Sequence, residues 1–394
     1  MSTIPAASLP SRRPVFSRRR VAGWLYQGLL VAGLALLAWV AIGNLQDNLA
    51  TRGLKLGFDF LWQEAGFEIA FSLLPYSASD NYWRVFLIGI TNTLLVTVLA
   101  ILFSTILGFG VGIAQLSGNW AMARAARIYV EIVRNLPQLL HILIWYNVAL
   151  RALPAPRAAI TLGDVVYLSN RGILVPALTT DRPGLLALSV LVALAATLVL
   201  VRGLGAYRER TGRALNLWLP AIAVLLLLPT LAMLAGGASL GVSVPALKGF
   251  NFAGGWVLVP ELSALVLAMA IYNAAFIGEL VRASIESVPK GQREAASAIG
   301  FGWWQSLRLI VIPQAVRVLL PPLSNQYLNI LKGSSLAVAI GYPDLVGVFT
   351  GISINQTGRA IEIVAMTMAV YLAISLLIGA LINLFNHMTR IVER

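Results

Sequence analysis

The sequence predicts an all-α polytopic membrane protein with about eight transmembrane helices. Three observations predict it. Of its 394 residues 58% are hydrophobic and only 11% charged, where a soluble globule carries about 25% charged residues. The mean hydropathy is +0.81. The apolar residues also come in long runs, near the ~20 residues that a spanning helix needs, and not in the short alternating segments of a membrane barrel.

Composition excludes several function classes. The formal charge is +13, but the basic residues sit in short loops between apolar runs, where they orient helices. Nucleic-acid binding is therefore set aside. With no cysteine, disulfides, thiolate metal sites and cysteine nucleophiles are absent. His141 and His387 stand far apart and match no metal-ligand spacing, so no metal site is expected.

The first twenty residues form a basic segment, with Arg12, Arg13, Arg18, Arg19 and Arg20 and no acid. The run that follows is span-length, longer than a signal-peptide core. It reads as an uncleaved first helix over 21–43 with a cytoplasmic N-terminus. Residues 44–84 are acidic and aromatic: Asp47, Asp59, Glu64, Glu68 and Asp80 outnumber Arg52 and Lys55. That balance suits the outer side. Phe58, Phe60, Trp62, Phe67, Phe71, Tyr82 and Trp83 are expected to lie along the bilayer interface, with an ordered external loop as the alternative.

Further spans are expected at 85–107, 136–150, 185–201, 218–234, 262–280, 319–340 and 363–384. Loop charges alternate across them. Arg124, Arg127 and Arg134 fall inside, as do Arg202, Arg208, Arg210 and Arg213, then Lys290, Arg293 and Arg308, and the tail over 387–394 with Arg390 and Arg394. The loop over 151–182 breaks the pattern, carrying Arg151, Arg157, Arg171 and Arg182 on the outer side. Both termini come out cytoplasmic. Residues 341–359 are too polar to span and are expected to form an outer loop or a short re-entrant element. No internal repeat stands out.

One polar stretch interrupts the apolar chain: "GQREAASAIGFGWWQSLRLIVIPQA", from Gly291. Its Ala, Glu, Gln and Arg favour helix, and Pro289-Lys290-Gly291 reads as a turn leading into one. Gly300 and Gly302 permit a bend, after which a second short helix is expected to end at Pro313. Ala295, Ala296 and Ala298 would make a narrow face able to enter a cleft on another protein, with Arg293 and Glu294 at its rim. Trp303 and Trp304 suit an interfacial anchor.

Glu294-Ala295-Ala296, then Gly300, Ile310 and Ile312-Pro313, resemble the signature cytoplasmic loop of ABC importer permeases. Isoleucine stands where that signature usually has leucine before the proline. "GELVRASIESVPKGQREAASAIGFGWWQSLRLIVIPQAVRVLLPPLSNQYLNILKGSSL" and "RNLPQLLHILIWYNVALRALP" are similar to the polar amino-acid branch, and within it to the Q-type permease subunits of general and glutamate/glutamine/aspartate systems. The resemblance implies a type I importer, MetI-like core of five helices within 85–386, plus the first helix and an inserted helical hairpin at about 184–237. It implies a coupling loop over 283–315, with Glu294, Ala295, Ala296, Gly300, Phe301, Ile310 and Pro313 engaging an ATPase. It implies as partners a second homologous permease, two ABC ATPase subunits and a periplasmic amino-acid-binding protein, in a bacterial inner membrane. ATP and magnesium would sit on the ATPase, because this chain lacks the Gly-Lys dipeptide of a phosphate-binding loop.

Polar residues within spans are costly and are pathway candidates. Glu279 and Arg282 share a helix face, either as a boundary ion pair or lining a cavity. Asn325 and Asn329 also share a face, and Lys332 precedes Gly333-Ser334-Ser335, a point where a span could be interrupted and expose backbone to a cavity. The alternative is that the asparagines join helices and Lys332 snorkels. Asn92 and Thr93 read as helix glue, and His141 as a packing residue with one hydrogen bond. The competing functional readings are an ion-coupled secondary amino-acid transporter, which would show paired broken helices in two related halves, a non-transporting scaffold or sensor, and an importer of metal or sugar.

Overall fold

The computed structural model describes residues 18–51, 57–211, 218–249 and 251–389. The expected basic segment up to residue 17, together with Arg52, Lys55, Arg213 and the tail from Arg390, lies outside them. The chain divides into two units, one ending at Asp59 and one beginning at Phe60. The first unit contains one described helix, α1 (Arg18–Thr51).

The second unit is built on α2 (Tyr82–Gln115) and α7 (Pro260–Glu286), and α7 is the most buried of the apolar helices. Helices in a bilayer gain no hydrophobic free energy from meeting, so close packing of small residues must hold them. The α2 sequence supplies it at helical spacing. A Cβ on Gly108 would lie 2.6 Å from Ile277, and one on Gly112 2.7 Å from Val281, both on α7; one on Gly278 of α7 would lie 2.8 Å from Val111 of α2. Only glycine permits this approach. Deeper in the pair, Gln326 donates to Asn273 at 2.7 Å, joining α10 (Ile312–Gly333) to α7.

Between α2 and α7, the region read as an inner loop is α3 (Trp120–Asn135), an amphipathic helix. Asn119 caps it by accepting from the amides of Ala121 and Met122; such a cap contributes about 1 kcal/mol. The expected span at 136–150 is α4 (Gln138–Arg151), of 14 residues. At 1.5 Å per residue it reaches about 21 Å, less than the ~30 Å core. Among the described residues five helices are long and apolar enough to cross a membrane: Tyr82–Gln115, Pro183–Tyr207, Pro260–Glu286, Trp304–Ile340 and Ala360–Asn383. The apolar stretches Leu25–Leu37 and Leu219–Ala235 are shorter, so the expected eight are not reached by length and composition.

The fold is mostly helical, as the sequence predicts, and short strands are added outside the helices. The 151–182 segment and the stretch before α7 form eight short strands: β1 (Ile160–Leu162), β2 (Val166–Ser169), β3 (Gly172–Val175), β4 (Ala177–Thr180), β5 (Leu240–Ser243), β6 (Ala246–Lys248), β7 (Asn251–Ala253) and β8 (Trp256–Leu258). They were missed because runs of three or four residues carry almost no periodic signal. β1-β2-β3-β8 make one antiparallel sheet, and β4 pairs with β5. The inserted hairpin, α5 (Pro183–Thr211) and α6 (Trp218–Ala235), leaves and returns between β4 and β5. Ser239 N–H donates to Asp181 at 2.8 Å across this base and holds the Asp181 carboxyl below its usual range.

The aromatic segment is an ordered loop. Phe60, Phe71 and Tyr82 are buried, while Phe58 and Trp62 remain exposed, so the interfacial array expected of them does not form. Their partners come from 341–359, which is helical. Gly341 turns the chain with φ +74°, then a π-helix over Leu345–Ser353 runs into α11 (Ile354–Thr357). Leu345, Val348 and Phe349 bury against Phe60, Tyr82 and Phe86. Asn92 donates to the Phe71 and Pro343 carbonyls at 2.9 and 2.8 Å, and Thr93 Oγ1 accepts from Leu345 N–H at 3.0 Å. Both are glue, as their sequence context suggests. The last helix is α12 (Ala360–Thr389).

Candidate coupling and pathway site

The polar stretch forms α8 (Lys290–Ala298), started by Pro289 and ended by Gly300 at φ +87°. Phe301 N–H donates to Ala296 O and Gly300 N–H to Ser297 O, both at 3.0 Å. This is the pair of bonds by which a left-handed glycine closes a helix. The next helix starts at once: Gly302 N–H donates to Gln305 Oε1 at 3.0 Å, half of a capping box. The bend expected at Gly300 and Gly302 therefore has an explicit chemical cause.

The second short helix does not end at Pro313. α9 (Trp303–Ser306), a π-turn over Leu307–Val311 and α10 form one continuous rod. Pro313 therefore lies inside a helical rod, just after the π-turn over Leu307–Val311, whose widened turn accommodates a residue without a backbone donor. The expected alanine face also splits. Ala296 is 1% exposed and points inward. Gly291, Glu294, Ala295 and Ala298 are exposed, as are Gln292, Arg293 and Ser297. Phe301 and Ile310 are half-buried and Pro313 is exposed. The helix is tied through its N-terminal half: Arg293 donates to Ile285 O at 3.2 Å, Gln314 to Gln292 Oε1 at 3.5 Å, and Val288, Val311 and Ala315 bury together beside it.

Glu279 and Arg282 form a bidentate pair at 2.5 and 3.1 Å, and Arg282 also reaches Glu286 at 2.5 Å. The pair lines a cavity of about 620 Å³ together with Gln115, Arg127, Glu131 and Arg134. Arg134 stacks over Phe276 with its guanidinium 5.1 Å from the ring. Arg127, Glu131 and Arg134 come from α3; the sequence places Arg127 and Arg134 among the inner-loop charges and Glu131 was missed, though their i, i+4, i+7 spacing was an available signal.

Asn325, Asn329 and Lys332 are all exposed on one stripe of α10. They do not approach Glu279 and Arg282 in any hydrogen bond among the described residues. The buried polar contact on α10 belongs instead to Gln326, one residue along. Gly333 does not break the helix. It keeps right-handed dihedrals, and the chain tightens into a 3₁₀ turn over Ser334–Ile340. A Cβ there would lie 2.9 Å from the Gln138 amide, so glycine serves packing against α4. Ser334 and Ser335 donate their hydroxyls to Leu331 O and Lys332 O at 2.7 and 2.8 Å. His141 is buried 5.5 Å from Tyr272, ring to ring. Its Nε2 has no hydrogen-bond partner.

Comparison with known proteins places this geometry. Residues 104–391 match the family model of the binding-protein-dependent transport system inner membrane component. The chain is 48% identical over 383 residues to YhdX of Escherichia coli strain K12, provisionally named an amino-acid ABC transporter permease; the match covers 96% of this chain and 97% of YhdX. It is 43% identical to AapQ, the general L-amino acid transport system permease protein of Rhizobium johnstonii, over 94% and 92% of the two chains. It is 36% identical to BztB of Rhodobacter capsulatus, a glutamate/glutamine/aspartate/asparagine transport system permease protein, over 93% of each. These matches favour the ATP-driven reading over the ion-coupled alternative. The chain belongs to the inner-membrane permease family of binding-protein-dependent ABC transporters.

Proposed function

We propose that the chain is the permease subunit through which an ABC importer carries polar L-amino acids from a periplasmic binding protein to the cytoplasm. The observation that carries the proposal is α8: a short helix held to the bundle through Gln292, Arg293 and the buried Ala296, with the rest of its surface, Glu294, Ala295 and Ala298 included, left exposed. A lever of that kind transmits the motion of whatever fills against it. ATP binding shifts a two-state equilibrium only by contacting the two states differently, and α8 is where this subunit offers that contact. α8 and both termini are cytoplasmic in this reading. ATP and magnesium are held on two ATPase subunits, and a second homologous permease completes a heterodimer.

The substrate class rests on the cavity and on the relatives' names. An amino acid brings one carboxylate and one ammonium into a low-dielectric site, and each needs an opposite partner. The cavity offers both signs, Arg127, Arg134 and Arg282 against Glu131 and Glu279. The Asn325, Asn329 and Lys332 stripe supplies further donors on α10. AapQ and BztB are named for amino-acid transport.

Co-reconstitution with the second permease, the ATPase and the binding protein in vesicles tests the coupling role. Glu294→Arg and Gly300→Trp should abolish amino-acid uptake and its coupled ATP hydrolysis while membrane insertion stays normal. The Gly300 site has open space around a Cβ, so the indole fits and the damage comes from the left-handed backbone and the blocked cleft. Uptake by both variants at the wild-type rate overturns the proposal.

A further inference from the structure

An apolar groove of about 1150 Å³ runs beside α8. Phe109 and Ile113 of α2, Val281 and Ile285 of α7, and Ala315 and Leu319 of α10 form its walls. Two cations, Lys290 and Arg293 of α8, stand at one end, and neither is in an ion pair among the described residues. The one carboxylate there, Glu286, is already paired with Arg282 at 2.5 Å.

The dimensions match a lipid. From Trp304 to Leu319 the wall rises roughly 20 Å at about 1.5 Å per residue, which covers the ~15 Å that one leaflet contributes to a ~30 Å hydrocarbon core. The mouth is apolar: Ile113 is 61% exposed, a surface that hydrocarbon tolerates and water does not. Trp304 lies at the basic end, where the headgroup layer favours tryptophan.

We propose that this groove seats an acyl chain of an anionic phospholipid whose phosphate rests on Lys290 and Arg293. The lipid touches α2, α7, α8 and α10 together, so its occupancy stiffens α8 against the bundle. The inference needs only a chain that sits in a membrane. It does not depend on α8 engaging an ATPase, and its test reads lipid, not transport.

The full chain is purified in mild detergent, exposed to mixed micelles of phosphatidylglycerol and phosphatidylcholine, and its retained lipid counted by native mass spectrometry. Wild type should retain phosphatidylglycerol preferentially. Each cation beside an anionic headgroup contributes about 1 kcal/mol, so the double variant Lys290→Glu with Arg293→Glu should lose at least about 30-fold in that retention. Val316→Trp, which fills the groove, should abolish it. Photoreactive benzoylphenylalanine at Ile113, in the otherwise native chain, should cross-link to lipid. Equal retention of both phospholipids, retention of free fatty acid alone, unchanged retention in both variants, or a cross-link to polypeptide would each overturn the proposal.

Discussion

Asp344 is fully buried, its Oδ1 accepting from Gly347 N–H at 2.7 Å, with the Val346 backbone and the Tyr371 hydroxyl also beside its carboxyl. Burial pushes its pKa up to about 7. The titratable groups facing it are Tyr342 and Tyr371, which do not ionise in that range. Because the folded state holds this proton more tightly than the unfolded chain, stability falls as pH rises from about 4 to about 7 and is flat above, by up to roughly 4 kcal/mol in total. Asp344→Asn should remove that slope; thermal unfolding of the purified chain across the window measures it, and an unchanged slope would refute the assignment. Glu279 is a second residue-scale test. Its loss leaves Arg282 with Glu286 alone in a polar cavity, so Glu279→Ala, like Lys332→Ala on the α10 stripe, should change transport rate or substrate range without loss of assembly. Wild-type uptake kinetics from both would remove these residues from the pathway.

Helices α2 and α7 are held by absent side chains. Gly108, Gly112 and Gly278 let the two backbones meet, and any larger residue must push them apart. Gly112→Leu should therefore destabilise the bundle by about 1–3 kcal/mol, the usual cost of overpacking, seen as a lower unfolding midpoint in detergent. The same substitution at Gly110, where a Cβ meets nothing, is the control and should be near neutral. At this scale the sequence was partly legible. Gly300 was readable because a helix-stopping glycine has a local signature, but the helix running on through Pro313 was not, since the π-turn that accommodates the proline leaves no mark in the local sequence. The inward turn of Ala296 was hidden for a related reason: three alanines have the same propensity whichever way they face.

For the molecule as a whole, the β3–β8 pairing shows where the inserted hairpin was added. Val175 sits opposite Trp256, so the chain leaves and returns at one point. Excising residues 176–255 and closing β3 to β8 with an Asn-Gly turn should preserve insertion and folding of the remaining bundle, by expression level and unfolding midpoint. Aggregation of the excised chain would mean that the hairpin is structural. The sequence by itself determined that this chain is a helical membrane protein, roughly where its spans lie, and that a bent pair of short helical segments meets at Gly300, because hydropathy, loop charge and helix caps are all written in neighbouring residues. Only the tertiary structure decided that Glu279 and Arg282 share a cavity with α3, that glycines seal α2 to α7, and that short strands join segments about 80 residues apart. Those facts depend on which faces meet across the fold, and no local pattern of residues carries that information.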